Sequence, residues 1–192
     1  MDKKLILASA SPRRREILDI AGYKYEAIVS NAEEITSGDP YELARENALA
    51  KALEVFERVG NDSVVVGADT VVCLDGEVLG KPKDEREAFL MLSKLSGSGH
   101  EVVSGYAVVS AEGAKSDYCV TYVRFRELTD DEINAYISTK EPMDKAGAYG
   151  IQERACIFAE SVVGDFFNII GLPIAPLYPL LKDFGISPQW QG

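Results

Sequence analysis

The alternation of apolar and polar positions predicts strands and helices that follow one another along the first half of the chain. Short apolar or β-branched runs are typical of strands, and longer runs rich in alanine, leucine and glutamate are typical of helices. Strands are predicted at residues 3–8, 25–29 and 63–67, and helices at residues 12–20 and about 40–58. Ser11-Pro12 and Asp39-Pro40 each place a capping residue before a proline at the first helical position, which predicts the two helix starts.

The second half of the chain adds a hairpin, two long strands and further helices. Asp75-Gly76 between two apolar runs predicts a tight hairpin turn, and Thr129 with Glu132 three residues later predicts a capping box. Strands are predicted at residues 71–74, 77–79, 101–109, 117–125 and 157–163, and helices at 84–95, from Thr129 onward and at 173–184. The pattern predicts an α/β fold with a mixed, twisted sheet and flanking helices. Since no repeat or linker interrupts it, residues 1–192 are interpreted as a single domain.

Charge and cysteine usage narrow the possible partners. Twenty Lys and Arg against 31 Asp and Glu give a formal charge of −11, which argues against broad binding to nucleic acid or to anionic membranes. Three dispersed cysteines without a CxxC pair indicate neither a disulfide framework nor a zinc site. The sequence contains neither a signal-peptide core nor an apolar run near the ~20 residues of a membrane span, so we expect a cytoplasmic protein.

The segment Ser9-Ala10-Ser11-Pro12-Arg13-Arg14-Arg15 predicts an anion site. Three arginines at the start of a helix oppose the helix dipole, so the arrangement favours a bound anion held by backbone N–H groups, hydroxyls and guanidinium groups. Ser9, Ser11, Arg13 and Arg14 are therefore candidate phosphate ligands. The alternative is a solvated basic turn whose arginines pair with carboxylates such as Glu16.

Carboxylates and lysines supply further candidate chemistry. Asp69, in Gly67-Ala68-Asp69-Thr70 at the predicted end of a strand, could bind a divalent cation or accept a proton from water. Glu33-Glu34 could add a second metal-facing carboxylate or form an exposed acidic loop, and the sequence favours neither. Lys51, Lys81 and Lys145 could each contact a phosphate, although a single lysine is most often a surface residue.

The sequence lacks the motifs of several other classes of enzyme. His100 is the only histidine, and no GxSxG motif surrounds a serine, so a Ser-His-Asp hydrolase is unsupported. The chain contains no GxxxxGK[ST] motif, and no GxGxxG opens the first helix. His100 is interpreted as a residue that orders a loop.

Seven motifs together resemble the Maf family of nucleotide pyrophosphatases, in family order from residue 5 to about residue 182. They are Ser9 to Arg14, the Asn-Ala-x-x-Lys-Ala stretch from Asn47 to Ala52, Gly67 to Thr70, Gly80-Lys81-Pro82, Ser96 to Val102, Glu141 to Gln152, and Asn168 to Pro173. The resemblance covers essentially the whole chain. Ser98 and Ser104 depart from it, since the family usually has a basic residue and a threonine at these positions.

The resemblance implies hydrolysis of surplus or non-standard nucleoside triphosphates between the α and β phosphates, in a cleft between two lobes. It also implies a divalent metal, Mg²⁺ or Mn²⁺, and often a homodimer. Arg13, Thr70 and Gln152 match the subgroup similar to dTTP/UTP pyrophosphatases and are the expected specificity residues. Asp69 falls on the position of the family's proton acceptor.

These expectations combine into one mechanism, in which water attacks the α-phosphorus and Asp69 accepts its proton. Glu33 and Asp69 are expected to hold the metal, and Glu33, Lys51 and Lys81 join Asp69 as the predicted catalytic residues. The predicted phosphate ligands are Ser9, Ser11, Arg13, Arg14 and Lys145. Two alternatives stay open: a hydrolase resembling the inosine-triphosphate pyrophosphatases, which share the Asn-Ala-x-x-Lys-Ala element, and a nucleotide-sensing or septum-regulating module without catalysis.

Overall fold

A computed structural model describes residues 3–191 as one seven-stranded sheet with helices on both faces. The strands are β1 (Lys4–Leu7), β2 (Glu26–Ala27), β3 (Ser63–Leu74), β4 (Glu77–Leu79), β5 (Gly99–Ser110), β6 (Gly113–Phe125) and β7 (Ala159–Val163). The helices are α1 (Pro12–Ile20), α2 (Pro40–Val59), α3 (Glu85–Leu95), α4 (Asp130–Ser138), α5 (Phe166–Ile170) and α6 (Ile174–Asp183). Short 3₁₀ turns lie at Glu141–Asp144, Ala146–Ala148, Arg154–Ile157 and Gln189–Gln191.

The sheet is mixed, as the sequence predicts. Its strand order is β2-β1-β3-β5-β6-β7, and β4 pairs with β3 off this path. β1 runs parallel to β2 and β3, whereas the other pairs are antiparallel. None of the helices formed by residues 3–191 is both long and apolar enough to cross a membrane.

One edge of β3 has a gap that the sequence did not reveal. β1 pairs with residues 63–66 of β3, and β4 pairs with residues 72–74. Residues 67–71 between them have a strand neighbour only on the β5 side. The prediction that a strand ends near Gly67 is therefore wrong, because a continuous ladder with β5 carries β3 through to Cys73, and pairing with β4 extends it to Leu74. We call the gap the notch.

The long helix α2 crosses one face of the sheet at very short distance. A Cβ atom at Gly67 would lie 2.1 Å from the carbonyl oxygen of Ala48, and one at Gly105 would lie 2.0 Å from that of Ala44. Glycine at both strand positions thus allows the helix backbone to contact the sheet directly. The contact continues into a small apolar cluster that contains Ala52 and Val55 of α2.

The opposite face carries two separate apolar clusters, which form the bases of two lobes. One joins α1 and α6 to β1, the first half of β3 and the second half of β5, with Leu18, Leu177 and Leu181 fully buried. The other joins α3, α4 and the 3₁₀ turns to the end of β3, the start of β5 and the end of β6, around Phe125 and Phe158. The expected two lobes are confirmed, and the notch lies between them.

Local signals account for most helix boundaries. The predicted capping box at Thr129 and Glu132 is present, and the Asp39 carboxylate accepts hydrogen bonds from the first turn of α2. Ser11 occupies the N-cap position of α1 but makes no side-chain cap bond. The segment predicted as a strand at residues 25–29 pairs only at Glu26–Ala27, and the five-residue helix α5 was not predicted.

Candidate active site

The notch opens into a cleft of about 640 Å³, a size typical of small-molecule sites. One wall comes from the end of β1 and the start of α1, and the other from the β4 hairpin and the 3₁₀ turns near Lys145. The exposed edge of β3 forms the floor. Strand alternation sends Asp69 toward α2 and Thr70 toward the opposite face, so the floor presents different side chains on its two sides.

A lysine between two carboxylates lies at the centre of the cleft. Lys51 Nζ is 2.7 Å from Asp69 Oδ1 and 2.6 Å from Glu34 Oε1. The side chains of Lys51 and Asp69 are each only 13% exposed, so this ion pair is largely shielded from solvent. The hydrogen bond from Lys51 lowers the pKa of Glu34 below its ordinary value, although partial burial opposes the shift. The group is thus a compact anionic centre with one internal cation.

Glu34, rather than the predicted Glu33, reaches this centre. Glu33 is exposed and does not line the cleft, whereas Glu34 lines it and pairs with Lys51. The two are neighbours in an irregular loop whose path depends on contacts with α2. Because no periodic pattern distinguishes them, the sequence could not choose between them.

Asn47 is a site residue to which the sequence analysis gave no role of its own. Its Nδ2 donates to Asp69 Oδ2 at 3.2 Å and to the carbonyl of Ile35 at 2.9 Å, while its Oδ1 accepts from the N–H of Ile35 at 2.8 Å. Only 2% of the residue is exposed. The available signal was spacing: Asn47 and Lys51 are four apart on α2 and therefore share one face of the helix.

The arginines of α1 have different environments. Arg14 donates from Nε to the carbonyl of Gly171 at 2.8 Å, and its two other nitrogens face Ser9 Oγ at 3.2 Å and Thr70 Oγ1 at 3.4 Å. Burial lowers the pKa of Arg14, while the charge of Asp69 opposes this shift. Arg13 forms an ion pair of 3.1 Å with Asp144 on the far wall. Arg14 is thus fixed within its own lobe, and Arg13 spans the cleft.

Hydroxyl groups complete the wall beside Arg14. Ser9 is 7% exposed, and its Oγ accepts from the backbone N–H of Ser11 at 3.1 Å. Thr70 Oγ1 is 2.8 Å from Ser104 Oγ, which in turn donates to the carbonyl of Asn168. Ser9, Ser11, Arg14 and Thr70 all line the cleft.

The remaining predicted residues lie on the second wall. Lys81 is exposed at the cleft, where its charge acts on Glu34. Gln152 is half-buried and lines the cleft. Lys145 also lines the cleft, but its side chain is only 7% exposed and its ammonium contacts Asp144 at 2.8 Å and Glu153 at 3.0 Å. A phosphate at Lys145 would have to compete with these carboxylates.

His100 is buried behind the cleft wall. Its Nε2 lies 2.7 Å from the hydroxyl of Tyr149, a residue of the cleft wall, and its ring packs edge-on against Phe125 and Tyr149. Burial lowers the pKa of His100 to about 4, so the ring is neutral near pH 7. Its contacts orient the wall rather than supply a base.

Known proteins resemble this chain in fold and, separately, in sequence. The solved Staphylococcus aureus Ham1 protein superposes with a TM-score of 0.56 over 95% of this chain and all of that one, at 14% identity, which supports the fold. A dTTP/UTP pyrophosphatase from Thermococcus gammatolerans is 52% identical over 92% of this chain and 94% of its own. One from Bacillus cytotoxicus is 48% identical over 95% of this chain and 96% of its own.

The family model for Maf-like proteins matches residues 4–184, which includes every element that lines the cleft. The expected family resemblance is therefore confirmed along almost the whole chain. On this match and on relatives near 50% identity, the chain belongs to the family of Maf-like proteins.

Proposed function

We propose that this protein is a nucleoside triphosphate pyrophosphatase that hydrolyses dTTP and UTP to the monophosphate and pyrophosphate. The observation that carries the proposal is the convergence of Asp69, Lys51 and Glu34 at the floor of a cleft whose walls carry Arg13, Arg14 and Lys81. Anionic groups for activating water thus lie beside cations for holding phosphates. The curated relatives that match over more than 90% of the chain carry the name dTTP/UTP pyrophosphatase.

The cleft fits a divalent cation that is shared with the substrate. Residues 3–191 contain no cluster of three or more His, Cys, Asp or Glu side chains able to enclose a metal on their own. Two carboxylates, those of Asp69 and Glu34, converge within 2.7 Å of the same ammonium group. Mg²⁺ is commonly held by one or two carboxylates together with substrate phosphates, so Asp69 and Glu34 would be its protein ligands. When bound, the ion would neutralise phosphate charge and make water more acidic.

The chain's own residues support a single displacement at the α-phosphorus. Water forms the new P–O bond, Asp69 takes the proton, and the bond between the α-phosphorus and the bridging oxygen breaks with loss of pyrophosphate. Asp69 can accept this proton because a carboxylate has more acceptor positions than its contacts with Lys51 and Asn47 use. Arg13, Arg14 and Lys81, the cations of the two walls, offset the charge of the triphosphate.

Base selection is assigned to Gln152 on the second wall and to Arg13 and Thr70 on the other side of the cleft. Gln152 lines the second wall, and its amide offers a donor and an acceptor side by side, which matches the N3–H and O4 groups of uracil and thymine. Arg13 and Thr70 lie on the opposite side, with Thr70 held by Ser104 and Arg14. The substrate would then lie across the cleft between the lobes.

Pyrophosphate release from purified protein tests the proposal. UTP, dTTP, CTP, GTP and ITP are compared with Mg²⁺ or Mn²⁺ and with excess chelator. We expect release from UTP and dTTP that requires the metal. Preferred turnover of ITP would support a hydrolase of the Ham1 type, absence of release with every nucleotide would support a non-catalytic module, and full activity in chelator would exclude the metal role.

The cysteines bear on the compartment in which the protein works. Cys73, Cys119 and Cys156 are all free thiols, which supports a reducing compartment, and we therefore propose a cytoplasmic enzyme. We also propose a homodimer, on the family resemblance. Size-exclusion chromatography with light scattering measures the mass directly, and a value near 21 kDa would identify a monomer.

A further inference from the structure

A polar stripe along α2 fastens the irregular loop of residues 28–39, which carries Glu34. Four side chains spaced four, three and four residues apart share one face of the helix and bind successive points of this loop. The stripe consists of Asn47, Lys51, Glu54 and Arg58. Later residues of the helix contact earlier residues of the loop, so the loop runs antiparallel to the helix.

The far end of the stripe holds the start of the loop. Arg58 donates to the carbonyl of Val29 at 2.7 Å, and the Glu54 carboxylate accepts from Ser30 Oγ and from the N–H of Asn31, both at 3.0 Å. These contacts lie outside the central ion pair. They fix the entry of the loop without contacting Asp69.

The near end differs because Asn47 binds the loop backbone and Asp69 at the same time. The amide of Asn47 bonds to both the N–H and the carbonyl of Ile35, which fixes its orientation, and the same Nδ2 donates to Asp69. Lys51 also links the loop to Asp69, but only through the Glu34 carboxylate. Cations of the substrate complex can compete with Lys51 for these carboxylates, whereas a bond to backbone persists.

We propose that Asn47 is a positioning residue for pyrophosphate release, one that fixes the loop carrying Glu34 at a set distance from the Asp69 carboxylate. The inference rests on the proposed function. Glu34 is the chain neighbour of Ile35. If the backbone of Ile35 were no longer held, Glu34 could move relative to Asp69. The two carboxylates would then be misplaced for the chemical step, whereas nucleotide binding would be largely unaffected.

Kinetics of three variants test this role. Asn47→Ala removes all three bonds, and Asn47→Asp keeps the acceptor for the Ile35 N–H but removes both donor bonds, the one to the Ile35 carbonyl and the one to Asp69. In both variants we expect kcat to fall by about 100-fold, the cost typical of a misplaced catalytic group, while KM changes by less than about threefold. Glu54→Ala is the matched control because it cuts two bonds to the same loop from the same helix face, and its kcat should stay within about threefold of wild type.

Amide hydrogen exchange supplies a readout that does not depend on activity. Asn47→Ala should speed exchange at Ile35, and Glu54→Ala should speed it at Asn31 alone. Unchanged Ile35 exchange in Asn47→Ala would overturn the tether, and near-normal kcat with fast exchange would overturn the positioning role. Equal kcat losses in Glu54→Ala would also overturn it. If wild type released no pyrophosphate, the proposed function would fail, and exchange at Ile35 would still decide whether the tether exists.

Discussion

Gly105→Ala should separate α2 from the sheet and thereby disturb the site. The new Cβ would lie 2.0 Å from the carbonyl oxygen of Ala44 and 2.2 Å from its carbon, both of them backbone atoms that no rotamer change can move. A carbon and an oxygen in contact lie about 3.3 Å apart, so the helix must recede by about 1.3 Å. Gly105 pairs directly with Asp69, and Asn47 and Lys51 follow Ala44 on α2, so the displacement acts where the helix meets the carboxylate.

The expected losses are in stability and in turnover together. Overpacking against backbone should cost about 3 kcal/mol of unfolding free energy, at the upper end of the usual range. For a chain of this length, that corresponds to a fall in Tm of about 6–12 °C. Because a displacement near 1 Å can cost two orders of magnitude in rate, kcat should fall by about 10-fold to 100-fold.

Denaturant unfolding, thermal melting and steady-state kinetics measure these losses on one preparation. Gly80→Ala is the control for stability, because a Cβ there would meet no atom within 4 Å. If Gly105→Ala kept wild-type stability, close approach of α2 would not be required. Loss of stability with unchanged kcat would show that the approach serves packing alone and does not position Asn47 and Lys51.

Three further predictions follow from the site. Asp69→Asn should lower kcat by at least ~100-fold while circular dichroism stays unchanged, and near-normal activity would place the base elsewhere. Gln152→Ala should narrow the difference in kcat/KM between UTP and CTP, at ~1–3 kcal/mol per unpaired group. Lys81→Ala should instead lower kcat/KM by a similar factor for every nucleotide. If Gln152→Ala lowered kcat/KM by the same factor for all nucleotides, Gln152 would not read the base. Because burial lowers the pKa of His100 from 6.5 to about 4, its contribution to stability should be lost as the pH falls between these values, by up to about 3 kcal/mol. Denaturant unfolding from pH 7 to pH 4 measures this loss, and His100→Gln, whose side chain does not titrate, should lack it.

The sequence predicted most elements because their signals are local. Ser11-Pro12, Asp39-Pro40 and the pair Thr129 and Glu132 mark helix starts through contacts within a few residues, and the structure places helices at all three. The course of β3 was not predictable in this way. Its middle, Gly67 to Thr70, lacks the apolar pattern of a strand and is held by pairing with β5, some 35 residues away in the chain.

The site shows the same division between local and distant information. Chemistry and motif order indicated Asp69, Lys51 and Lys81, and all three line the cleft. The choice of Glu34 over Glu33 depends on where α2 holds the loop, which is tertiary information. The contacts of Lys145 with acidic neighbours were likewise hidden, although Asp144 and Glu153 are close to it in the sequence.

The opposite orientation of Asp69 and Thr70 has a consequence for engineering. The neighbours of Asp69 come from α2, whereas those of Thr70 are Arg14, Ser104 and the carbonyl of Gly171. Consecutive residues of one strand thus belong to two packing layers that share no side chain. A library at Ser104 can vary the surroundings of Thr70 without changing Asn47 or Lys51, so the surroundings of the proposed specificity residue can be redesigned while the proposed proton acceptor keeps its contacts.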